Sequence, residues 1–86
     1  MKYKKKLEVV EAVQWLGDNI DDLDTFVGSA IHHTTDEDGR IIVSVTTFKG
    51  PVRVDEGDYV VQVPGTQHFY PCRPSLFESN YEPLED

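Results

Sequence analysis

The stretch Arg40-Ile41-Ile42-Val43-Ser44-Val45-Thr46-Thr47-Phe48 decides the fold. On an extended chain Ile41, Val43 and Val45 share one face, and Ile42, Ser44 and Thr46 share the other. Alternation with period two, in a run rich in β-branched residues, is the signature of a half-buried strand. Immediately before it stands Asp36-Glu37-Asp38-Gly39. Its Asp-Gly step is a hairpin signal, so Ile31 to Thr34 reads as the strand that pairs back. Beyond it, Lys49-Gly50-Pro51 turns the chain, Val52 to Val54 is a short strand and Asp55-Glu56-Gly57 turns it again. Asp58 to Val63 follows as a strand with Tyr59, Val61 and Val63 on one face.

Farther out the signals weaken. Pro64-Gly65 fits the centre of a type II turn, where Pro supplies a fixed φ and Gly accepts a positive one. Gln67 to Tyr70 reads as a short strand, and Pro71 and Pro74 bracket Cys72 and Arg73 in irregular chain. Pro74 to Ser79 suits one helical turn with Pro at its first position. Tyr81 to Leu84 is a last edge strand. Toward the N-terminus, Leu7 to Leu16 reads as the first strand. Leu7, Val9, Val13 and Trp15 share a face interrupted by Glu11, with Val10 and Ala12 opposite. Apolar residues on both faces imply a strand covered on both sides. Asp18 to Val27 is the one good helix, about residues 19–27. Asn19 stands at its cap, Asp21 and Asp22 in its first turn, and Ile20, Leu23 and Val27 at helical spacing with Phe26 beside them. Gly28 is placed to end it.

These elements predict an α+β domain: a small, strongly bent, mostly antiparallel sheet or open barrel of five to seven short strands, with one packed helix. Eighty-six residues hold a single domain, 1–86. Eleven Val and four Ile against five Leu favour sheet over helix. A chain this short buries too little surface to be more than marginally stable, and self-association is one route to extra stability. No apolar run approaches the roughly 18 residues of a membrane span, and Glu8 and Glu11 interrupt what would be the apolar region of a secretory signal. The single cysteine, Cys72, excludes an internal disulfide and a cysteine-built zinc site. An intracellular setting is therefore expected.

The net charge is −8, and it is uneven. Lys2, Lys4, Lys5 and Lys6 form a basic tip ahead of an acidic body. That distribution argues against duplex binding, which wants a basic face. The lysines suit an edge strand that must refuse partners. The acidic helix residues Asp18, Asp21, Asp22 and Asp24 match the helix dipole, and they also suit docking on a basic host surface.

Two ends of the chain carry a family resemblance. The first is Met1-Lys2-Tyr3-Lys4-Lys5-Lys6, then Val9-Val10-Glu11-Ala12-Val13-Gln14-Trp15 and Gly17-Asp18-Asn19. The second is Gly57-Asp58-Tyr59-Val60-Val61, Phe69-Tyr70-Pro71-Cys72-Arg73-Pro74, Phe77-Glu78 and Tyr81-Glu82-Pro83. Together they resemble a widespread group of small proteins encoded by tailed bacteriophages and prophages. The likeness spans most of the chain and is weakest from Ser29 to Lys49. Where the group has a short Gly-containing stretch before Phe-Tyr-Pro-Cys, this chain has Pro64-Gly65-Thr66-Gln67-His68. The resemblance implies a phage gene and the cytoplasm of the infected bacterial host; it transfers no catalytic residue.

Spacing decides what the chemistry-bearing clusters can do. Cys72 with His68 would be a nucleophile and base, but nothing marks an orienting third group or oxyanion donors. His32 and His33 are adjacent on a strand and point to opposite faces, so they do not converge on a metal. The acidic triplet 36–38 lacks the ligand spacing of a calcium loop. No phosphate loop, nucleophile elbow or paired-carboxylate pattern stands out. The expectation is therefore no catalytic residue, no metal and no cofactor. The first functional expectation is a non-catalytic accessory protein that binds a host or phage protein. Tyr59, Tyr70 and Tyr81 are its expected exposed aromatics, with Arg73, because Tyr and Arg are enriched at binding hot spots. Two alternatives stand beside it. One is a small-ligand binder for a nucleotide signal in anti-defence, using Arg40, Arg53, Arg73 and Lys49. The other is a minor virion or assembly component.

Overall fold

The computed structural model describes residues 1–5 and 8–83, with the side chains of residues 4, 5 and 8 left aside. Lys6, Leu7 and Leu84, named above, lie outside the described residues. Among the described residues the chain forms β1 (Lys2–Lys5), β2 (Glu8–Gln14), α1 (Ile20–Val27), a 3-10 turn (Gly28–Ala30) and β3 (Ile31–Thr35). It continues with β4 (Ile41–Thr47), β5 (Gly50–Val54), β6 (Tyr59–Gln62), β7 (Phe69–Cys72), α2 (Pro74–Asn80) and β8 (Glu82–Pro83).

The domain is α+β, and every strand pairing is antiparallel. Among the described residues eight strands, one more than the upper count expected, divide between two open sheets, ordered β7-β6-β2-β1-β8 and β3-β4-β5. The additional strand is the lysine tip. Lys has little strand propensity, so pairing rather than propensity makes it extended. Lys2 stands opposite Glu11, position 5 opposite position 8, and position 4 opposite Glu82. The lysine strand thus lies between β2 and β8 instead of guarding an open edge.

The hairpin β3–β4 forms as the alternation requires, with Ile31 opposite Val45 and His33 opposite Val43. Asp36 holds its turn. Its Oδ1 accepts the N–H groups of Asp38 and Arg40, each at 2.9 Å, and Gly39 takes φ +83°. Ile41, Val43 and Val45 point inward, as read from the sequence. Val63 O accepts the Thr66 N–H across Pro64-Gly65 at 3.1 Å, with Gly65 at φ +75°, the conformation a type II turn demands. β7 begins two residues later than expected and takes in Pro71 and Cys72, because its partners on β6 run from Gln62 to Tyr59.

β2 and β6 form a partition with a core on each face. Trp15 and Val60 face the first core, where they meet Leu23 of α1, Val43, Val45 and Val54 of the second sheet, and Phe69. Val10, Ala12, Tyr59 and Val61 face the second, which α2 closes with Phe77. The two-sided apolar pattern of β2 is thereby explained: α1 covers one side and α2 the other. α2 is a second helix where a single turn was expected. Pro74 opens it, and Phe77, 1% exposed, anchors it.

Asn19 stands at the α1 cap, but its side chain turns back. Oδ1 accepts the Leu16 N–H at 2.8 Å and Nδ2 donates to Gln14 O at 2.9 Å. It ties the helix to the end of β2 instead of capping the helix N–H groups. Its backbone carbonyl still accepts from Asp22 at 3.0 Å.

Candidate interaction surface

The aromatics expected on the surface lie largely within the second core. Tyr59 is 6% exposed, stacks on Phe77 with centroids 4.1 Å apart, and donates its hydroxyl to Glu78 Oε2 at 3.0 Å. Burial, then that hydrogen bond, push its pKa up to about 12. Tyr81 stacks on the opposite face of Phe77 at 4.5 Å, and Tyr3 meets Phe77 edge-on at 4.8 Å. Tyr70 is half-buried against the same cluster. Tyr59 is thus a packing residue, and its expected exposure is corrected. The reason lies in the partition: alternation on β6 sends Tyr59 and Val61 to one face, and α2 covers that face.

Arg73 is exposed, and it is engaged. Its Nη1 lies 3.2 Å from Asp55 Oδ2 and 3.6 Å from Asp58 Oδ1, while Arg53 Nε lies 3.1 Å from Asp55 Oδ1. Asp58 is buried. Its Oδ2 accepts the Asp55 N–H at 3.0 Å, whereas Oδ1 has no hydrogen bond and meets Arg73 only at ion-pair distance. This chain of alternating charges clasps the start of α2 to the turn between β5 and β6.

Cys72 and His68 do not meet as a pair. Cys72 ends β7 and His68 stands just ahead of its start, four residues and roughly 13 Å apart along an extended chain. Burial pushes the Cys72 thiol up, and the Asp58 carboxylate adds to the shift, which is the reverse of what a thiolate nucleophile needs. His32 and His33 diverge as the strand period demands. His32 Nε2 lies 3.0 Å from Thr46 Oγ1 and His33 Nε2 lies 4.0 Å from Asp24 Oδ2. Among the described residues no three His, Cys, Asp or Glu side chains gather to hold a metal.

The arginines of the nucleotide reading separate in part. Arg40 and Arg53 line a cleft of about 510 Å³ over Trp15, but Asp36, Asp55 and Glu56 line it too. Lys49 is elsewhere, over the ring of Phe48 at the β4–β5 turn. Phe48 is 83% exposed, a surface feature that reading the strand through to Phe48 concealed. Its signal was the two-residue turn ahead of Gly50. Leu16 and Met1, also exposed, border an open groove of about 710 Å³ beside α1, with Val13, Phe26, Glu11 and Asp22.

The sheet edges carry the clearest asymmetry. A strand at a sheet edge leaves half its backbone N–H and C=O groups unpaired, and Pro or Lys on the edge blocks unwanted pairing. β5 carries Pro51 and Arg53. β7 carries Pro71 and lies against β4 and β5. β8 is two residues long and ends in Pro83. β3, Ile-His-His-Thr-Thr, has neither Pro nor Lys, and beyond Ile31 it is exposed along its length. Among the described residues nothing pairs with its outer side.

Compared with protein-family models, with curated proteins and with solved structures, the chain matches none.

Proposed function

We propose that this is a non-catalytic, phage-encoded accessory protein that acts by binding a host or phage protein in the cytoplasm of the infected bacterium. The observation that carries the binding reading is the β3 edge: among the described residues three of the four sheet edges hold a proline, and β3 holds neither proline nor lysine. A guarded edge is a device against association, so an unguarded one beside three guarded ones supports a strand kept for a partner. The phage setting is supported by the resemblance of the two chain ends. Affinity purification of the tagged protein during infection, with native mass measurement, tests it. The expected result is a stoichiometric protein partner. Recovery of the protein alone overturns the reading.

The cleft of Arg40 and Arg53 over Trp15 favours the nucleotide-signal alternative. Its three carboxylates weigh against it, because they already balance the cations that a phosphate would need. Calorimetry with a panel of nucleotides separates the two readings. Micromolar binding that is lost in Arg40→Ala would support the alternative.

A further inference from the structure

The surroundings of β3 identify the kind of chain that would pair with it. Residues 18–39 contain seven acids (Asp18, Asp21, Asp22, Asp24, Asp36, Glu37 and Asp38) and no Lys or Arg. Asp21, Asp22 and Asp24 stand on α1 ahead of β3, and Asp36, Glu37 and Asp38 in the turn that follows it, so acids flank the strand on both sides in the chain before the next Lys or Arg, Arg40. α1 packs against β3, and Asp24 faces His33 across 4.0 Å. Glu37 and Asp38 stand exposed at the C-terminal end of the strand, while the Asp36 carboxylate is occupied within its turn.

We propose that β3 receives an extended, basic segment of the partner protein, which joins β3-β4-β5 as a fourth strand. This rests on the protein-binding reading above and names its surface and its chemistry. Five residues of strand span roughly 17 Å; the Ile31 N–H is taken by Gly28 O, and beyond Ile31 the outward-facing N–H and C=O groups meet no further strand among the described residues. The backbone supplies the pairing, and the charge selects the partner. A second copy of this chain is the poorer occupant. Two β3 strands paired with each other would bring one seven-acid region against another, with no cation in either.

The test uses the full chain, labelled for NMR, and two synthetic peptides about ten residues long, within the range of natural strands. One alternates Lys with Val and the other alternates Glu with Val. The Lys peptide is expected to slow amide exchange at residues 31–35 and to bind about tenfold tighter than the Glu peptide, a gap that narrows as salt rises from about 50 to 300 mM. Thr34→Lys, which places a guard on the edge, and the pair Glu37→Lys with Asp38→Lys are each expected to weaken binding about fivefold or more while circular dichroism stays unchanged. Four results of the peptide and NMR measurements overturn the inference. They are equal binding of the two peptides, no protection at residues 31–35, protection confined to the groove of Met1 and Leu16, and a salt-resistant dimer protected at β3. Capture of a partner that the Thr34→Lys protein binds as well as the parent also overturns it, and leaves the protein-binding reading standing. Absence of any partner fails that reading itself.

Discussion

The two faces of the β2–β6 partition are built from different materials. The face toward α1 and the second sheet is mainly aliphatic, with Leu23, Val43, Val45, Val54 and Val60 around Trp15. The face toward α2 is aromatic, with Phe77 held between Tyr59 and Tyr81 and Tyr3 edge-on. The aliphatic side joins elements from the middle of the chain, the aromatic side elements from both ends. Branched aliphatic side chains fill the space between stacked sheets without polar atoms to satisfy. Tyrosines can stand at the margin of a core, because the ring is buried while the hydroxyl finds a polar partner. The difference shows how a small chain closes both sides of one ladder, with α1 and the second sheet on one side and α2 on the other.

The largest test of that comparison removes each core's anchor. Phe77→Ala is expected to cost about 3–5 kcal/mol and Leu23→Ala about 2–5 kcal/mol, read from denaturant unfolding. Each approaches the whole stability of a domain this size, so a folded Phe77→Ala protein with an unchanged midpoint would break the claim that the aromatic side is a true core. Next comes the clasp between turn and helix. Asp58→Ala leaves the Asp55 N–H without its acceptor and Arg73 with one carboxylate fewer, and is expected to cost about 1–3 kcal/mol.

A smaller effect sharpens the aromatic side alone. Tyr59→Phe keeps the stack and loses the hydroxyl bond to Glu78, an expected cost of about 0.5–1.5 kcal/mol near neutral pH. The pKa of Tyr59 is raised from 10.0 to about 12 in the fold. A raised value means that the folded state holds the proton more tightly. Its contribution is therefore complete below pH 10 and is lost as pH rises from 10 toward about 12. Unfolding midpoints measured across that window should fall more steeply for the parent than for Tyr59→Phe; parallel curves would remove the role given to the hydroxyl. Smallest of all, Leu16→Ser on the exposed rim of the groove should change stability by no more than about 0.5 kcal/mol, in contrast to the buried Trp15 next to it.

Local signals decide the structure where period and turn chemistry agree. Alternation over residues 41–46 assigned the inward face of β4, and the Asp-Gly step placed its hairpin. Ile20, Leu23 and Val27 placed α1. Signals failed where a neighbour decided the outcome. Lys2–Lys5 becomes a strand because β2 and β8 lie on either side of it. Pro71 and Cys72 extend β7 because β6 offers partners to Tyr59. Tyr59 looked like a contact residue, since aromatic enrichment at interfaces says nothing about which face of a strand a helix will cover. The β3 edge was invisible for the same reason: an unpaired side exists only once the order of strands is known.

By itself, the sequence determined a small α+β fold with antiparallel hairpins, an acidic helix and an acidic turn. Those properties follow from dihedral preferences, period and charge, which act within a few residues. Tertiary structure alone decided the division into two sheets, the aromatic core closed by α2, the Arg73 clasp and the one edge left without a proline. Each of these depends on which segments, far apart in the chain, come to lie side by side, and burial on a shared face is the force that brings them there.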